Sequence, residues 1–324
     1  MIAPTSEPAP ALPAGEPSPA GGWRLLRASV AGTSHGKTGA PCQDASDAAR
    51  LPSPEGEVLG LACSDGAGSA RLSHEGASLA CAAVLWEVRD FLERRPLRAA
   101  TRDTVEGWFL SVHAAVADRA LELDAKPRDL ACTLLVALIA PDAAVFAQIG
   151  DGAIVVDAPD PAGYAPIFWP QSGEYANMTY FATEPEALRQ LSAGFIRDRP
   201  IQEVALFSDG LQQLALRFED RSVHAPFFRP MFAQLRRQPS GDAPALDAGL
   251  RTFLNSSAVN SRTDDDKTLV LATRRAPTPA PGAEAAATLR ISDEADHRFR
   301  RKPITRFARS RSGISLKPIT AGRS

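Results

Sequence analysis

The chain is constrained most by a device that recurs along it: an apolar run that opens abruptly into an acidic residue beside glycine. Val58, Leu59, Leu61, Ala62 and Cys63 read as a buried strand that breaks at Ser64 into Asp65, Gly66, Ala67 and Gly68. Gly66 and Gly68 let the backbone approach whatever Asp65 holds. The run 204–207 leads in the same way into Ser208, Asp209 and Gly210, and the run 147–149 into Gly150, Asp151 and Gly152. A fourth acidic point, Asp264 to Asp266, precedes the apolar stretch 268–272. Several strands thus deliver carboxylates at their ends, which points to one acidic, metal-holding edge. Hard cations such as Mg²⁺ and Mn²⁺ prefer oxygen ligands of this kind.

Between these points the chain alternates apolar runs with helical periodicity. An edge strand is expected from Trp23 to Val30, followed by a loop-rich stretch to Pro54 and the strand 57–64. A helix capped by Ser73 is expected over 74–92, burying Leu79, Ala83, Trp86 and one of Val84 or Leu85. A second spans 102–123 with Val105, Trp108, Phe109, Val112 and Val116 on one face. The aromatics of both helices read as core. The runs 130–139 and 143–149 read as a hairpin, and 155–168 as a further strand. Residues 169–183 form a polar loop; strands at 203–208 and 268–273 enclose helical stretches near 211–216, 226–237 and 243–254. Mostly consecutive strands flanking central helices favour a layered α+β domain over a doubly wound parallel sheet.

Composition marks the ends of this domain. Residues 1–22 hold six prolines among Ala, Gly and Ser, and residues 275–324 turn to Ala, Pro, Arg and Ser; both read as disordered tails around a domain over 23–274. The second tail carries eleven Lys/Arg against four Asp/Glu and repeats Lys-Pro-Ile-Thr at 302–305 and 317–320. It reads as a solvated linker, with a docking segment or phosphorylation target as the sharper alternative. The overall net charge of −2 gives no reason to expect nucleic acid as a partner. No 18-residue apolar run is present, and Cys42, Cys63, Cys81 and Cys132 lack CxxC spacing, so a soluble, reduced, cytoplasmic protein without a membrane partner is expected. Neither GxxxxGK[ST] nor GxGxxG occurs, which sets aside nucleotide-loop chemistries.

Taken in order, Gln43-Asp44, Asp65-Gly66-Ala67-Gly68, Cys132-Thr133, Gly150-Asp151-Gly152, Ser208-Asp209-Gly210 and Asp265-Asp266-Lys267-Thr268 resemble the metal-dependent type 2C protein serine/threonine phosphatases. The stretches 32–35 and 41–44 are similar to a bacterial branch of them. The resemblance covers about residues 23–274. It implies a four-layer α-β-β-α sandwich with two central antiparallel sheets and a metal cleft at one end. It also implies two Mg²⁺ or Mn²⁺ ions, with room for a third, and attack on phosphoserine or phosphothreonine by a metal-bound water.

Position by position, the resemblance makes Asp65 the bridging carboxylate, the Gly66 carbonyl a ligand of one ion, and Asp209 and Asp265 ligands of the other. Asp44 falls on the second acid of a Glu-Asp pair, Asp129 on the acid of a third site, and Asp151 on a turn-shaping motif ranked as structural. Three departures stand out: Gln43 replaces the Glu, Gly39 stands where an Arg would bind phosphate, and Ala67 stands where some members have a His. His35 or Lys37 is the candidate to contact phosphate or supply a proton. The implied partners are phosphoserine and phosphothreonine proteins, through a bacterial-type Ser/Thr kinase or its substrates. Two other readings compete: a pseudophosphatase that binds phosphoprotein or kinase without turnover, and a plain α+β domain whose Asp residues cap helices and form turns.

Overall fold

The computed structural model describes residues 22–159, 163–171, 179–184, 187–197 and 199–276, without the side chains of residues 36–38. Apart from residues 22, 275 and 276, the expected tails lie outside the described residues, as does the repeated Lys-Pro-Ile-Thr.

In chain order the elements are β1 (Arg24–Val30), α1 (Thr33–Thr38), β2 (Ala45–Leu51), β3 (Val58–Ser64), α2 (Ser73–Arg94), α3 (Arg102–Glu122), β4 (Leu134–Ile139), β5 (Ala144–Ile149), β6 (Ala153–Asp157) and β7 (Tyr164–Pro166). They continue with β8 (Ser192–Ile196), β9 (Glu203–Phe207), α4 (Gln212–Ala215), β10 (Leu216–Arg217), β11 (Ser222–Val223), α5 (Ala225–Leu235), β12 (Gly241–Asp242), α6 (Pro244–Leu254), α7 (Ser257–Asn260) and β13 (Lys267–Thr273). One sheet has five strands in the order β2-β3-β4-β5-β8, the other six in the order β12-β1-β13-β9-β6-β7. All pairings in both are antiparallel except the short β1–β12 contact.

The strands alternate between two cores, which is why they read as continuous apolar runs. Leu59, Leu61, Cys63, Leu135 and Ala137 of the five-stranded sheet pack against Ile154, Val156, Val204, Leu206, Val270 and Ala272 of the other. The opposite face of the five-stranded sheet, with Leu134, Val136 and Leu138, packs under α2 and α3 through Val84, Val88, Val105, Phe109 and Val112. The opposite face of the six-stranded sheet, with Ala205, Phe207, Leu269 and Leu271, packs under α5 and α6 through Phe228, Phe232, Leu246 and Leu250. The result is the four-layer α-β-β-α sandwich with two central antiparallel sheets. The chain crosses from one sheet to the other between β5 and β6, at Gly150–Gly152.

Several local expectations change. β1 is not an edge strand: β13 pairs with it along its whole length and β12 with its first two residues. Trp86 is 67% exposed, because Val84, Leu85 and Val88 take the inner face of α2. Trp108 and Phe109 are buried, and Trp108 meets Phe91 edge to face, so the aromatic-core reading holds for α3 and fails at Trp86. Leu72 is the N-cap of α2, while the Ser73 side chain makes no capping bond. The stretch 155–168 contains β7 and the end of β6, and β2 crosses the stretch expected as loop. Strand β2 contains Ala, Ser and Asp and is half-buried along most of its length, so it lacks the apolar run that marked its neighbours.

A candidate metal centre

Asp65 leaves β3 directly and is locked by the residue that leads into the neighbouring strand β4. Its N–H donates to Thr133 Oγ1 at 2.9 Å, its carbonyl accepts from Thr133 N at 2.8 Å, and Ser64 Oγ donates to Thr133 O at 2.5 Å. Gly66 bridges Cys132 on the same neighbour, and a Cβ there would lie 2.7 Å from Gln43 O and 2.8 Å from Ser73 Cβ. Only glycine fits that approach. Asp209 opens the turn after β9, and Asp151 lies on the crossover turn. One carboxylate oxygen from each of Asp65, Asp151 and Asp209 lies within 4.8 Å of the other two.

Asp44, just before β2, is 8% exposed. Its Oδ2 accepts from Ser208 Oγ at 2.7 Å, and Ser208 Oγ accepts from Thr268 N at 3.0 Å, which ties β2 to the ends of β9 and β13. Asp44 Oδ1 and Asp209 Oδ1 are buried with no hydrogen-bond partner. Asp265 is exposed at the entry to β13, and its charge helps to raise the Asp65, Asp151 and Asp209 carboxyls.

Other expected residues go elsewhere. Asp129 is not brought into the group: its Oδ2 accepts from Lys126 N at 3.0 Å and faces Arg71 Nε at 3.9 Å, closing the turn Pro127–Leu130. Asp151, ranked as a turn-former, joins the group instead. The sequence carried the signal, since an apolar strand ending in Gly-Asp-Gly is the same device that marked Asp65 and Asp209. His35 Nδ1 lies 2.9 Å from Asp266 Oδ1. Asp266, buried and absent from the expected ligands, also accepts from Gly32 N at 2.6 Å and Gln43 N at 2.5 Å. It therefore pins the segment that carries His35 and Asp44 to the loop that carries Asp265. A run of three Asp gave no means of telling its roles apart. The Lys37 side chain lies outside the described residues. Gly39 ends α1 at φ 71°, a left-handed conformation that an Arg would adopt only with strain.

The electrostatics are those of a site short of positive charge. Burial pushes Asp44 up to about 7, with the Asp266 and Asp209 charges adding and the Ser208 and Thr268 hydrogen bonds opposing. Burial likewise pushes Asp209 up to about 7, reinforced by Asp151 and Asp265. Asp65 is held well above the carboxylate range by burial and then by Asp44 and Asp209, and Asp151 is raised chiefly by burial. An all-oxygen donor set with two unpartnered buried oxygens fits a hard divalent cation, which would reverse these shifts.

The sign of the resulting pH dependence follows. Carboxyls whose folded pKa stands near 7 instead of 3.8 contribute most to stability when protonated, and that contribution is lost as pH rises from about 4 through about 7. Mn²⁺ at a hundredfold excess over its dissociation constant should raise the melting temperature by about 5–10 °C. At one fixed Mn²⁺ concentration, the gain measured by calorimetry should be larger at pH 8 than at pH 5, because protonation of the carboxyls raises the dissociation constant; an equal or reversed gain would contradict the charge assignment.

Three comparisons bear on this site. The family model for protein phosphatase 2C matches residues 31–255. The chain is similar to serine/threonine-protein phosphatase 3 of Escherichia coli (strain K12), with 38% identity over 263 residues, 77% of this chain and 98% of the relative. Among solved structures, it is similar in fold to a bacterial serine phosphatase at TM-score 0.52 and 14% identity, covering 79% of this chain and 99% of that one. It is also similar to a C. elegans sex determining protein at TM-score 0.54 and 13% identity, covering 79% of this chain and 66% of that one.

Proposed function

We propose that this chain, which belongs to the protein phosphatase 2C family, is a protein serine/threonine phosphatase that hydrolyses phosphoserine and phosphothreonine with divalent-metal assistance. The observation that carries the reading is the convergence of Asp65, Asp151 and Asp209 from three strand ends, beside the unpartnered oxygens of Asp44 and Asp209. The 98% coverage of the Escherichia coli phosphatase supports assigning the same reaction class.

Asp65, Asp151, Asp209 and Asp265, with the Gly66 carbonyl, would hold Mg²⁺ or Mn²⁺. Bound ions supply a water of lowered pKa and a clamp for phosphoryl oxygens, so no nucleophilic side chain is required. Asp44, which is outside the group of three, has a buried, unpartnered Oδ1 that would accept a proton or a hydrogen bond from a group inside the site. Asp266 keeps the His35 ring against the 264–266 loop, and a protonated imidazole there would hold a proton for the leaving serine or threonine oxygen. Lys37, on the same short helix, is the second candidate for contacting phosphate. The partners we infer are phosphoproteins made by a bacterial-type Ser/Thr kinase. Among the described residues no helix is long and apolar enough to cross a membrane, and a cytoplasmic site of action is part of this proposal.

The test is phosphate release from a phosphothreonine peptide with Mn²⁺, with Mg²⁺ and with EDTA. Metal-dependent release abolished by chelator is the expected result. Measurable Mn²⁺ binding without release from several phosphopeptides would instead mark a pseudophosphatase, consistent with Gln43 and Gly39 replacing the family's Glu and Arg.

A further inference from the structure

The turn that carries Asp151 is held by side chains that the metal reading does not use. Gln148 is fully buried and donates from Nε2 to Gly150 O at 3.0 Å and Gly152 O at 2.9 Å. Gln212 Nε2 donates to Asp151 O at 2.6 Å. Gln171 accepts from Gly150 N at 2.8 Å, while its Nε2 is anchored on Gln190 O at 2.6 Å and Ser192 Oγ at 3.1 Å. Three amides therefore fix the backbone of Gly150–Gly152 from both sides. They leave the rotation of the Asp151 carboxylate undetermined. Thr179 acts on that rotation: its Oγ1 donates to Asp151 Oδ2 at 2.5 Å.

We propose that Thr179 is a positioning residue for the metal centre, whose hydroxyl aims the Asp151 carboxylate at the space shared with Asp65 and Asp209. The inference rests on the reading that these three carboxylates hold a cation. A carboxylate that has given one oxygen to a fixed donor has fewer orientations to lose on binding a cation. Partners of this kind typically govern metal affinity by about 10–100-fold. Asp151 lies on the crossover between the sheets, and Thr179 belongs to no strand of either. The hydroxyl thus adds a side-chain restraint to the backbone restraints at the point where the chain changes layers.

The test compares Thr179→Val and Thr179→Ser in the full chain after removal of metal with EDTA. Mn²⁺ affinity is read by isothermal titration, and the Mn²⁺ concentration for half-maximal phosphopeptide hydrolysis is read beside it. Thr179→Val should weaken Mn²⁺ binding by about 10-fold or more and raise the half-maximal concentration by the same factor. Thr179→Ser, which keeps the hydroxyl, should stay within about twofold of the parent chain, and the metal-free melting temperatures should agree. Wild-type affinity in Thr179→Val, or equal loss in both variants, would overturn the proposal. Asp151→Asn separates the two levels. If it leaves Mn²⁺ binding unchanged, the cation reading fails at Asp151 and the role of Thr179 falls with it. If it weakens binding while Thr179→Val does not, only the positioning role is lost.

Discussion

Asp209→Asn will lower metal-dependent phosphopeptide hydrolysis by on the order of 10³-fold, because it removes a carboxylate that would hold the cation on which the attacking water and the phosphoryl clamp depend. The same substitution should leave the metal-free fold as stable as before, or more so. Asp209 is raised to about 7 by burial and by Asp151 and Asp265, so a neutral amide relieves repulsion that the carboxylate carries. A variant that is less active and no less stable is hard to explain by misfolding. Steady-state hydrolysis at saturating Mn²⁺ together with metal-free thermal unfolding checks both halves. Retained turnover would remove Asp209 from the centre, and a collapse in metal-free stability would make the residue structural.

The largest expected effect on stability lies away from these carboxylates. Glu203, 1% exposed on β9, receives Arg236 Nε at 2.7 Å and Nη2 at 2.6 Å, Tyr164 OH at 2.9 Å and Thr273 Oγ1 at 3.0 Å. Both oxygens are fully used, and the Arg236 fork is bidentate. Glu203→Ala strands a largely buried guanidinium and a buried phenol, at a cost of about 3–5 kcal/mol. In a domain of this size that is a fall of roughly 10 °C or more in melting temperature. Activity per folded molecule at low temperature should be kept, since Glu203 is at the opposite end of β9 from Asp209. Denaturant unfolding giving a loss below about 1 kcal/mol would show that the network behaves like an exposed ion pair.

The sequence was most legible where one physical signal dominated. Apolar runs buried on both faces located β3, β4, β5, β9 and β13, and their abrupt ends located Asp65 and Asp209. The period of Val105, Trp108, Phe109, Val112 and Val116 placed the inner face of α3, all five being buried. Legibility failed where a residue's partner lies far along the chain. Trp86 reads as core by type, yet it faces out because smaller aliphatic residues fill the seam of α2. Asp151 follows an apolar run within Gly-Asp-Gly and so carried the local signal, whereas Asp129, in the polar stretch Lys-Pro-Arg-Asp, lacked it and closes its own turn on Lys126 N. Asp266 is indistinguishable from its neighbours in sequence, but it collects Gly32, His35 and Gln43 from more than 200 residues earlier.

The crossing of the chain at Gly150–Gly152 has a consequence for the order in which the molecule assembles. Asp65 belongs to the end of a strand in one sheet, Asp209 to the end of a strand in the other, and Asp151 to the turn between them. Neither sheet alone holds a complete set of ligands. The loops that must close before the three carboxylates meet are long, so the cation site is among the late features of folding and cannot select an early intermediate. By reciprocity, a cation bound across the seam resists separation of the two sheets. Substitutions in the buried seam, such as at Leu61 or Leu206, would then change metal affinity without touching a ligand.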